Sequence, residues 1–67
     1  MKIRDLCDIN TCELRITFDE DPYQGEVDVI IPVTAEPREI LGDFILDTEI
    51  RLMGAEGDAI IVSTGTR

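Results

Sequence analysis

Cys12-Glu13-Leu14-Arg15-Ile16-Thr17-Phe18 is the stretch on which the fold turns. Cys12, Leu14, Ile16 and Phe18 alternate with Glu13, Arg15 and Thr17, a period of two that sends one set to a core and the other to solvent. The segment that follows, Asp19-Glu20-Asp21-Pro22-Tyr23-Gln24-Gly25, breaks the pattern with acid, proline and glycine and reads as a loop. Alternation resumes from Glu26 to Val33, with Val27, Val29, Ile31 and Val33 expected inward and Ile30 outward. Pro32 has no amide to donate, so it belongs at a sheet edge or a strand end. The two strands are expected to form a β-hairpin with a long acidic tip.

Upstream, Ile3, Leu6 and Cys7 fall at helical spacing with Asp5 and Asp8 on the other side, which predicts a short helix. Asn10 would end it, because asparagine tolerates the left-handed cap conformation. Downstream, Thr34 or Glu36 precedes Pro37, a residue favoured in the first helical turn. A helical turn is expected from Pro37 to about Leu41, with Ile45 and Leu46 either extending it or opening the next strand. Glu49 to Met53 alternates with Ile50 and Leu52 on one face, Gly54 to Gly57 supplies turn residues, and Asp58 to Ser63 returns as a β-branched strand. Its inward set is Ala59 and Ile61 or Ile60 and Val62, depending on the turn type. The tail from Thr64 is expected to fray. Residues 1–67 then form one α+β domain: a small four-stranded, mainly antiparallel sheet of two hairpins, a short N-terminal helix, and a short helical turn between the hairpins.

The chain has 67 residues, with fifteen acidic side chains against six basic ones, no histidine and a formal net charge of −9. So negative a domain repels nucleic acid and anionic membranes, and leaves a basic protein as the natural partner. A core of this size is only marginally sufficient, which makes a homo-oligomer a reasonable expectation. Ile30 on the outward face, with Ile60 or Ile61, leaves the sheet apolar on two sides; the second is expected to be covered by a subunit interface or by the N-terminal helix.

Cys7 and Cys12 are read as small core hydrophobes, and with so few cysteines and no apolar leader the expected compartment is the cytoplasm. No catalytic residue, cofactor or metal site is expected. General acid–base chemistry would fall to carboxylates or cysteine, and the acids around Asp19 lack the spacing of a calcium loop. The candidate binding residues are Glu13, Asp19, Glu20, Asp21, Tyr23, Glu26 and Asp28, all on the first hairpin. Carboxylates in such a row can imitate phosphates and pair with Arg or Lys of a nucleic-acid-binding protein, with Tyr23 as an aromatic anchor. The alternative for Tyr23 is that it simply covers the hairpin end.

The opening Lys2-Ile3-Arg4-Asp5-Leu6, the strand after it, the proline-led Glu36-Pro37-Arg38-Glu39-Ile40-Leu41 and the closing hairpin together resemble short proteins of phages and prophages of Gram-positive bacteria. That resemblance implies a phage accessory protein working inside the bacterial host cell. Some proteins of that class inhibit host defence systems by occupying nucleic-acid-binding surfaces as DNA mimics. The other expectation is a small homo-oligomeric structural or ligand-sequestering protein, with its function at a subunit interface around Ile30.

Overall fold

Asp5 opens the first helix by accepting the Lys2 N–H on its carboxylate at 3.0 Å, which satisfies a donor that a helix start would otherwise leave exposed. In the computed structural model, which describes residues 1–24 and 26–66, this helix, α1, runs Ile3–Ile9 and buries Ile3 and Leu6. It stops at Asn10 as expected, but by another route. Asn10 is extended (φ −84°, ψ 130°), and its side-chain amide bonds both backbone groups of Cys12, at 2.9 and 3.3 Å. The side chain thus steers the chain directly into the first strand.

Strands β1 (Glu13–Thr17), β2 (Val29–Ile31), β3 (Leu52–Glu56) and β4 (Ala59–Ser63) form one sheet in the order β2-β1-β4-β3. Both expected strand pairs are antiparallel, β1 with β2 and β3 with β4. The sheet is nonetheless mixed, because its central pair, β1 and β4, is parallel. Two further helical turns, α2 (Pro37–Ile40) and α3 (Asp43–Leu46), lie between the strand pairs. Glu36 caps α2 by accepting the Arg38 N–H at 3.3 Å. Ile45 and Leu46 belong to α3, which begins after Gly42 and ends where the Thr48 hydroxyl donates to the Phe44 carbonyl.

All three helical elements cover the same sheet face. Ile3, Leu6, Leu41 and Leu46 pack on Leu14, Ile16, Ile31 and Val62, with Val29 and Ile60 half-buried beside them. The extents of 27 × 26 × 18 Å are those of a thin two-layer slab. Its accessible surface of 4152 Å² matches the roughly 4,200 Å² of a folded monomer of this mass, so the isolated chain already buries a normal share of itself.

Several expectations about the strands are corrected. β2 is three residues long, so Val27 and Val33 lie outside the ladder and are 37% and 65% exposed instead of inward. Pro32 ends β2, as its missing donor requires. Cys12 precedes β1 and is exposed, whereas Cys7 packs half-buried against the core; both thiols are free. Glu49 bridges to Lys2, and the Ile50 N–H donates to the Met1 carbonyl, so this segment pairs with the N-terminus before β3 begins. Arg51 and Leu52 then both meet Ser63, two residues against one, and this bulge throws Ile50 and Leu52 onto opposite faces.

The second turn is Gly57-Asp58, not Gly54 to Gly57. Gly57 has φ +60°, a conformation that favours glycine at the first position of a two-residue hairpin loop, and Glu56 pairs with Ala59 across it. Neither candidate inward set of β4 is turned to solvent: Ala59, Ile61 and Val62 are buried and Ile60 is half-buried. Val62 faces the helices, while Ala59 and Ile61, at 4% and 1% exposure, lie on the opposite face. Thr64 and Gly65 are not frayed, since their amides donate to the carbonyls of Thr17 and Asp19; Arg67 lies outside the described residues.

Candidate interaction surface

The acidic loop does not project as a hairpin tip. It folds back as a strap across the sheet face that the helices leave open, and hydrogen bonds to short polar side chains hold it there. Thr17, fully buried, donates from its hydroxyl to the Glu26 carbonyl at 2.6 Å and accepts the Asp19 N–H at 3.2 Å. Asp19 accepts the Glu26 N–H at 3.1 Å, drawing the two ends of the strap together. Asp28 accepts the Phe18 N–H at 2.8 Å, and Asp21 accepts the Tyr23 N–H at 2.8 Å in a local turn. From the sheet below, Ser63, also fully buried, donates to the Glu20 carbonyl at 3.0 Å.

Tyr23 closes the strap over β3. Its hydroxyl accepts the Ala55 N–H at 3.2 Å and donates to the Ala55 carbonyl at 3.3 Å. A Cβ placed on Gly54 would fall on the phenol, within 2.6 Å of Cζ, so the ring can lie there only because residue 54 has no side chain. Gly54 in turn pairs with Ile61, whose side chain is almost wholly buried on this face. The cover over the second face is therefore the strap. The N-terminal helix lies on the other side, and no subunit is needed to bury Ile61.

The candidate acids thus divide by what they touch. Asp19, Asp21 and Asp28 shape the strap by accepting backbone N–H groups. Glu13 accepts Arg15 Nε at 2.7 Å, and Glu56 holds the same guanidinium from β3 at 3.6 Å, making a charged row across the sheet. Glu20 and Glu26 are exposed and make no side-chain hydrogen bond or ion pair among the described residues. Tyr23 is 61% exposed while its hydroxyl is engaged, and Ile30, opposite Arg15 on β1, is 56% exposed as expected.

Two other arginines tie the helical elements together. Arg4 bridges Asp47 at 2.9 Å and Asp43 at 3.3 Å, which ties α1 to α3. Arg38 contacts Asp8 and lies 4.0 Å from Glu36, tying α2 to α1, and the N-terminal ammonium pairs with Glu49 at 3.1 Å. Arg4, Arg15 and Arg38 each face two carboxylates, and none of these is Glu20, Asp21 or Glu26. The Arg4 hydrogen bond holds the Asp47 carboxyl below its ordinary range, and the Asp47 and Asp43 bonds raise Arg4 in return. Burial pushes the Cys7 thiol up.

No protein-family model, curated protein or solved structure matches this chain. Among the described residues no carboxylate or thiol cluster is arranged to hold a metal, no ligand-sized cavity is present, and no helix is long and apolar enough to cross a membrane. Sequence reasoning had missed Gly54, Ala55, Thr17 and Ser63, on which the strap depends. One signal was present: a lone glycine within an alternating strand marks a close approach of another group. Reading Gly54 to Gly57 as turn residues passes over that signal.

Proposed function

We propose that the chain is an acidic interaction protein that binds a basic, nucleic-acid-handling protein, in the manner of a phage accessory protein directed against a host defence component. The observation that carries this reading is the exposed acid of the strap, Glu20, Asp21 and Glu26, set on a sheet-anchored segment while three arginines are committed to other carboxylates. Carboxylates held on a fixed backbone present charge to Arg or Lys at a smaller ordering cost than a free loop would. Tyr23 and Ile30 supply exposed apolar surface on the same side of the sheet.

The test compares the native chain with the triple variant E20Q/D21N/E26Q in binding to a purified basic DNA-binding protein of the bacterial host, with double-stranded DNA as competitor. The native chain is expected to bind, to be displaced by DNA, and to lose affinity steeply with added salt; the triple variant is expected to bind at least about tenfold more weakly. Binding that is unaffected by salt and by the triple substitution would refute the electrostatic reading.

A further inference from the structure

We propose that the Tyr23 hydroxyl guards the β3 edge against pairing with a second copy of this chain. β3 is the last strand of the sheet, so among the described residues one side of its backbone has no neighbouring strand. In a two-residue hairpin the residues flanking the turn, Glu56 and Ala59, exchange ladder bonds; Ala55, and Met53 two residues further on, therefore turn their N–H and C=O groups outward. An edge of this kind is a template for another strand. Here both outward groups of Ala55 are taken by a single phenol oxygen, which donates to one and accepts from the other.

The strand it excludes is β3 of a second molecule, because the edge is complementary to itself. An antiparallel pairing about a two-fold axis at Gly54 sets Met53 of each copy against Ala55 of the other, satisfying the outward groups of all four residues. In that register Leu52 faces Glu56, so no like charges are opposed. Leu52 and Met53, 51% and 50% exposed and on opposite faces of β3, would be covered. With the phenol oxygen bonded to both outward groups of Ala55, an incoming strand about 4.8 Å away has to displace that hydroxyl before it can pair. The net charge of −9 on each copy opposes association as well. Self-association should therefore strengthen with salt, opposite to binding of a basic partner.

Sedimentation equilibrium of the native chain, Y23F and Y23A, each with and without M53P, tests the guard. Phenylalanine keeps the ring over Gly54 and removes only the hydroxyl. Proline at position 53 removes an outward N–H and leaves the bonds to β4 intact. The expected result is a monomeric native chain, Y23F self-associating at least about tenfold more tightly, tighter association at higher salt, and a return to monomer on adding M53P. If Y23A does not fold, Y23F decides the matter alone. The proposal is overturned if folded Y23F stays as monomeric as the native chain, if M53P leaves the association intact, or if the native chain dimerises as tightly as Y23F.

Discussion

At the residue scale, a glycine and a threonine carry more of this structure than any acid. Replacing Gly54 with alanine puts a methyl group where the Tyr23 phenol lies and should cost about 1–3 kcal/mol in urea unfolding. Combined with Y23A the two changes should be less than additive, because both break the same contact. Thr17→Val keeps the shape of the buried side chain but removes its bonds to Glu26 and Asp19, and should cost about 1–3 kcal/mol by the same measurement. Asp47 sets a pH dependence. Its folded pKa lies below the unfolded value, so its contribution is present above the unfolded value and lost as pH falls through the folded one. Native stability should therefore fall on acidification more than that of Asp47→Asn, as followed by thermal melts across the acid range. Because the pair is solvent-exposed, the difference should be small.

At the element scale, strand identity was legible where alternation was long and β-branched, and illegible where a neighbouring backbone decided it. β1 follows from Leu14 and Ile16 against Glu13, Arg15 and Thr17. Ile16 is fully buried, and Ile16→Ala should cost about 2–5 kcal/mol, enough to unfold much of so small a domain. Ile30→Asp, on the exposed side of β2, should leave chemical denaturation nearly unchanged, within about 0.5 kcal/mol. The boundaries of β2 and β3 were not readable. Val27 and Val33 carry the same β propensity as Val29, but the register would set them against Phe18 and Cys12, which lie just outside β1. Glu49 and Ile50 continue the alternation of β3, yet Lys2 and Met1 claim them first. The acidic loop was recognised from its composition; its course across the sheet rests on Ser63 and Ala55, 43 and 32 residues away from the groups they bind.

At the scale of the whole molecule, the charge is unevenly compensated. Arginines at positions 4 and 38 join the helical elements to one another, Arg15 spans the strap-side face, and the strap keeps Glu20, Asp21 and Glu26 outside those pairs. A net charge of −9 on a slab 18 Å thick repels itself. Moderate salt, with a screening length of about 10 Å, should therefore raise the melting temperature of the native chain, and E20Q/D21N/E26Q should show a smaller rise. The same repulsion, together with Tyr23, bears on the expectation of a homo-oligomer. That expectation drew on an uncovered second apolar face, and the strap now accounts for Ile61, leaving Ile30 exposed.

Periodicity and composition by themselves determined the α+β class, the short helix before a four-stranded sheet, the two antiparallel pairs and the local excess of acid, since each depends on neighbours a few residues apart. The parallel run of β1 and β4 at the centre, the shared face of the helices and the acidic loop over the other face emerge only in three dimensions. Those outcomes depend on which distant backbone groups remain to be satisfied once the local elements have formed. A hydroxyl at Tyr23 and a missing side chain at Gly54 carry that information, and neither has meaning until the other is beside it.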